Sequence, residues 1–307
     1  MDAIAAQQQR DALVRAMPAV FVLIWSTGFI VARYGMPHSP PFTFLMVRYV
    51  LSVACFLAWA SLARAAWPSG MRQWGHLSVT GVLMHAGYLG GVWAAVKAGM
   101  GAGLAALLVG LQPVLTALWI SARGGSITNR QWTGLALGLG GLVLVVWQKL
   151  GLGEVHVVNL AFAVGALLSI TVGTLYQKRF VAPCDVRTAN LVQLAAAAVI
   201  TLPLAWLETE PMRWFDADGT LNGQIAGAMA WSVLALTLGG SSLLYMLIQR
   251  GAATSVTSLM YLVPPATALL AWLLFDEPIT ALTITGVALA ATGVALVVCT
   301  PAATTRA

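Results

Sequence analysis

The chain has 307 residues, 59% of them apolar and only 8% charged, where an ordinary soluble domain carries roughly a quarter charged residues. So little charge cannot cover a soluble surface, and the composition excludes a soluble enzyme or binding module in favour of one membrane domain. The formal net charge of +6 is distributed as a topology signal, as shown below, and no nucleic-acid partner is expected.

Cys55, Cys184 and Cys299 are far apart and lack metal-ligand spacing, so neither a metal nor another cofactor is expected. Asp2 and Asp11 among glutamines make a poor start for a cleaved leader, and the apolar run that follows is long enough to span.

A helix crossing a bilayer needs about 20 mainly apolar residues, and ten segments qualify. Segment 14–33 carries Trp25 and ends on Arg33. Segment 42–63 follows Pro40-Pro41 and holds Arg48 about two turns in. That guanidinium either pairs with a substrate carboxylate or snorkels and holds backbone carbonyls.

Segment 76–97 places His85 and Tyr88 on one face, for a polar substrate or for a helix–helix hydrogen bond. Segment 101–121 presents Gln112, Thr116 and Trp119 along one face. Gln112 precedes Pro113, where the carbonyl four residues before the proline loses its donor and backbone becomes available to a ligand. Segment 130–148 contains Gly134-x-x-x-Gly138, and segment 279–299 contains Gly286-x-x-x-Ala290. That spacing serves close packing within one bundle or a homodimer contact.

Segment 156–178 brings Tyr176, 226–249 brings Tyr245 and 253–275 brings Tyr261, while 187–207 offers no candidate. The longest connection, 208–225, holds Glu208, Glu210, Asp216, Asp218 and Gly219 and reads as a solvated loop. Trp67, Trp74, Trp132, Trp147 and Trp214 lie at segment ends, as an interfacial belt would.

With the N-terminus inside, Arg10, Arg15, Arg64, Arg72, Arg123, Arg130, Lys178, Arg179, Arg187, Arg250 and Arg306 are cytoplasmic. Only Arg33, Lys97, Lys149 and Arg213 lie outside. This bias puts both termini in the cytoplasm.

A shift of 152 residues lays 127–146 on 279–298 without a gap, matching Thr133-Gly134 to Thr285-Gly286 and Gly141 to Gly293, and upstream it matches Pro113 to Pro265. The expected fold is therefore all-α and integral to the membrane: ten transmembrane helices in two five-helix repeats, 1–148 and 149–307. An odd number of spans per repeat inverts one copy relative to the other, a transporter signature.

Trp25-Ser26-Thr27-Gly28-Phe29 followed by Arg33 resembles the opening helix of the drug/metabolite transporter superfamily, in its ten-helix EamA-type exporters. Pro40-Pro41 with Arg48, the prolines of Leu111-Gln112-Pro113 and Val263-Pro264-Pro265, and Asp276-Glu277 before Ile279-Thr280 continue the likeness over nearly the whole chain. Gly124-Gly125 stands where that family often has an acidic residue, and the first helix lacks the intramembrane Glu of the small multidrug-resistance proteins.

The aromatic-rich chain looks most like the aromatic amino-acid exporter branch. The resemblance implies a multi-pass protein of the bacterial inner membrane that exports small amphipathic metabolites, aromatic and other amino acids among them. It would work by alternating access at a central cavity lined by segments 1, 3, 4, 6, 8 and 9. Trp25, Arg48, His85, Tyr88, Gln112, Tyr176, Tyr245 and Tyr261 are the candidate substrate contacts. Membrane lipid and the small-molecule substrate are the partners, with a second copy of the chain as a further one.

The alternative is an intramembrane enzyme acting on a lipid or hydrophobic substrate. It lacks a catalytic set, because every carboxylate lies in a loop or tail and Ser241 with His85 is the only Ser/His candidate. The inverted duplication disfavours a channel or receptor. No carboxylate near the midplane could load a proton, so transport is expected to run as facilitation or with weak coupling, His85 being the one titratable candidate.

Overall fold

The computed structural model describes residues 2–123, 128–240, 243 and 262–298. These fold into α1 (Asp2–Gly35), α2 (Pro41–Leu62), α3 (Met71–Lys97), α4 (Ala102–Val109), α5 (Gln112–Ala122), α6 (Asn129–Gly151), α7 (Val157–Phe180), α8 (Val186–Leu207), α9 (Gly223–Gly239), α10 (Val263–Phe275) and α11 (Ala281–Val298). By length and apolar composition α2, α3, α6, α7, α8 and the run Ala102–Trp119 can each cross a bilayer, and the stretch Ala19–Gly35 of α1, α9, α10 and Ala281–Leu296 of α11 are shorter apolar helices among the described residues. Val143, Val199, Trp206 and Leu234 point large apolar groups outward, as a surface solvated by lipid allows.

Several helices start where the unpaired N–H groups of the first turn find a side-chain acceptor. Thr128 and Gln131 form a reciprocal cap on α6, His156 and Asn159 one on α7, and Asp185 and Asn222 cap α8 and α9. The fourth predicted segment is not one helix. It breaks at Gly110-Leu111, because Pro113 has no N–H to give the Val109 carbonyl. The break also admits a neighbour, since a Cβ on Gly110 would lie 2.7 Å from Cγ of Pro264.

The two halves meet as counterparts: α2 packs on α8, α4 on α10, and α6 on α11. The last pair uses the small-residue faces. A side chain on Gly293 would strike the backbone of Gly134 and Gly138, and one on Gly286 would strike Gly141 and Val145. These glycines are thus occupied within the bundle.

The 208–222 connection is more than a solvated loop. Glu208 accepts from the backbone N–H of Phe42 (2.9 Å) and Thr43 (2.7 Å) and from the Thr43 hydroxyl (2.8 Å), capping α2 from the end of α8. Lys97 pairs with Glu210 at 2.7 Å and donates to the Met36 carbonyl at 3.0 Å. The Arg213 N–H donates to the His38 carbonyl at 2.8 Å. The connection therefore ties together the ends of α1, α2 and α3. The Lys97 ammonium, with Arg213 adding to it, holds the Glu210 carboxyl below the usual glutamate range.

Candidate functional site

Both central helices of this site depart from α geometry. α3 is π-helical over Val82–Gly87 and α9 over Ser232–Gly239. The 152-residue shift that aligns Pro113 with Pro265 carries 82–87 onto 234–239, so both repeats hold the same distortion. A π turn leaves carbonyls poorly served by the helix itself, and such turns gather at functional sites. Here side chains serve them. Ser169 of α7 donates to the Leu83 carbonyl at 2.7 Å, and Tyr49 of α2 donates to the His85 carbonyl at 2.9 Å. In α9 the Thr237 hydroxyl donates to the carbonyl of Ser232, five residues back, at 2.8 Å.

Arg48, next to Tyr49, reaches the other π segment. Its Nε and Nη2 donate to the Thr237 hydroxyl at 3.3 and 3.1 Å. The side chain is buried, and no described carboxylate pairs with it: the described ion pairs all lie elsewhere. A guanidinium offers five donors, so a single hydroxyl leaves most of its capacity unspent.

His85 and Tyr88 lie within electrostatic reach of Arg48, and the Gln193 side chain of α8 lies beside that of His85. One turn beyond Arg48, the buried hydroxyl of Ser52 has no partner among the described residues. Arg48, His85 and Tyr88 are thus brought together, joined by Tyr49, Gln193 and Thr237. Sequence reasoning passed over those last three, because neutral polar groups are common in membrane helices.

The remaining candidates fall elsewhere. Gln112 donates to the Thr174 hydroxyl at 2.8 Å, binding α5 to α7. The Tyr176 hydroxyl sits 2.8 Å from Nδ1 of His76, with Phe180 stacked on the same imidazole. That is nine residues, or about 14 Å along α3, from His85. Trp25 packs with Phe21, ring centroids 5.3 Å apart. Tyr245, Tyr261 and Ser241 lie outside the described residues.

A groove of about 350 Å³ opens between α1 and α9, lined by Thr27, Ile30, Val31, Tyr34, Gln224 and Trp231 among others. At its side the Trp231 indole donates to the Thr27 hydroxyl at 2.8 Å. Among the described residues no cluster of His, Cys, Asp and Glu suits a metal.

Known proteins resemble this chain over most of its length. A protein of Archaeoglobus fulgidus described as an uncharacterized transporter is 26% identical over 269 residues, covering 84% of this chain and 88% of that one. A probable amino-acid metabolite efflux pump of Escherichia coli is 24% identical over 280 residues, covering 89% and 90%. The uncharacterized inner membrane transporter YedA of Escherichia coli is 25% identical over 261 residues, covering 84% and 81%. One solved crystal structure superposes with a TM-score of 0.63 at 19% identity, over 91% of this chain and 94% of that one, which supports the fold alone. The model of the EamA-like transporter family matches twice in succession, over residues 16–147 and 158–299, so the chain is a membrane transporter that belongs to that family.

Proposed function

We propose that this transporter exports small amphipathic metabolites that carry a carboxylate, aromatic amino acids among them, by alternating access between the repeats 1–148 and 149–307. The observation that carries the reading is Arg48: a buried guanidinium whose described partner is one hydroxyl. A cation is costly to hold in a membrane interior, and a substrate carboxylate would complete its hydrogen bonding in a bidentate pair. Tyr88 and His85 beside it supply aromatic surface for an apolar substrate group.

Export, and a place in the bacterial inner membrane with both termini cytoplasmic, are supported by the basic-residue bias and by the names of the efflux and inner-membrane relatives. Without a carboxylate at the midplane, the substrate's own gradient drives the flux.

The test is counterflow in proteoliposomes with a panel of amino acids, comparing wild type with Tyr88→Ala and Gln112→Ala at matched incorporation. Saturable counterflow of aromatic amino acids is expected, reduced in the Tyr88→Ala protein through the site and in Gln112→Ala through the α5–α7 bond. Wild-type rates in both variants would remove these residues from the transport path, and absence of counterflow for every carboxylate tried would refute the substrate class.

A further inference from the structure

Arg48 and Gln193 hold the same place in the two halves. α2 and α8 are both 22 residues long, and Arg48 and Gln193, 145 residues apart, are the eighth residue of each; the connection after α8 is seven residues longer than the one after α2, which carries α3 and α9 to the 152-residue offset. The two helices pack against each other. Their partners correspond as well. Arg48 bonds Thr237, Gln193 meets His85, and Thr237 follows His85 by 152 residues, the offset of the repeat.

The pseudo-two-fold therefore maps one polar pair onto the other, and it is broken in charge: a guanidinium in the first half, a neutral amide in the second. Gln193 is buried, and Gly81 lets the α3 backbone press against the Gln193 backbone so closely that any Cβ there would collide. The Gln193 backbone is thus held in place. A ligand lying across the pseudo-two-fold meets one permanent cation on one side and an uncharged donor and acceptor on the other. A second carboxylate on that ligand would be buried without a counter-charge, which a low-dielectric interior strongly disfavours.

Building on the carboxylate reading of Arg48, we propose that Gln193 is a specificity-determining residue: it limits the site to ligands with one anionic group and fixes which end of the ligand faces which half.

The test uses full-length protein in detergent, titrated with 3-phenylpropionate and with phenylsuccinate, which carry one and two carboxylates. Binding is read by thermal shift in variants shown to be monodisperse. Wild type should bind the monoanion in preference to the dianion. Q193R should gain at least about tenfold for the dianion, as expected for one added close charge pair. R48Q should lose the monoanion, and the charge-swapped R48Q/Q193R should recover it, a rescue that a merely structural glutamine would not give.

A swap as defective as R48Q, or an unchanged selectivity ratio in Q193R, overturns the role of Gln193 alone. An R48Q protein that binds the monoanion like wild type overturns the carboxylate reading and this inference with it. If the arginine variants do not fold, the isosteric Q193E decides: a carboxylate there should weaken monoanion binding about tenfold, and unchanged affinity refutes the proposal.

Discussion

Replacing Arg48 by Met separates a substrate-binding cation from a structural clamp. The variant keeps the length and apolar stem of the side chain and removes its charge. On the structural side, wild type retains hydrogen bonds from Arg48 to Thr237 at 3.1–3.3 Å. Because a cation is involved they are worth about 1.5–3 kcal/mol. Against this stands the desolvation of a buried guanidinium with no described carboxylate beside it, which amounts to several kcal/mol even after relaxation. The balance favours the neutral side chain, and R48M should be more stable than wild type by about 1–3 kcal/mol.

On the functional side, R48M loses a bidentate pair with the substrate carboxylate, and the apparent affinity should fall roughly 100-fold, equivalent to about 3 kcal/mol. Thermal unfolding in detergent and concentration-dependent counterflow in liposomes measure the two quantities on one preparation. A protein that melts at lower temperature than wild type and transports with unchanged KM would show that Arg48 holds α2 to α9 and does nothing for the substrate.

A reporter active only in the periplasm, fused to the C-terminus, should stay silent, and strong activity would reverse the topology. An imposed pH gradient should not drive accumulation of substrate in proteoliposomes; accumulation abolished by His85→Ala would make His85 a coupling site. Glu208→Ala removes the acceptor for two backbone N–H groups and one hydroxyl at the start of α2, and should lower stability by about 1 kcal/mol in thermal unfolding. Glu210 has a folded-state value depressed chiefly by Lys97. Its contribution is present above the ordinary glutamate value near 4.3 and is lost as pH falls through the depressed one. Being partly exposed, the pair should contribute under about 1 kcal/mol, so E210Q should remove only a small acid-dependent part of the melting curve below about pH 4.

The order of spans, the duplication and the membrane setting were legible in the residues because hydropathy is a property of each segment by itself. The predicted 42–63 and 187–207 runs correspond to α2 and α8 within a residue at each end. Arg48 was conspicuous for the same reason: charge inside an apolar run stands out wherever the helix later packs.

What meets what was not legible. Lipid and protein neighbours are both apolar, so a span records little of which face looks inward. Only the packed bundle brought Arg48 to Thr237 and set Gln193 against His85, and only there did Tyr176 turn out to serve His76, about 14 Å along α3 from the cluster it was expected to join. The π turn of α3 was equally hidden, because the donors that serve its carbonyls, Ser169 and Tyr49, come from other helices. Those donors lie 86 and 36 residues away in sequence, and no local pattern encodes a bond of that range.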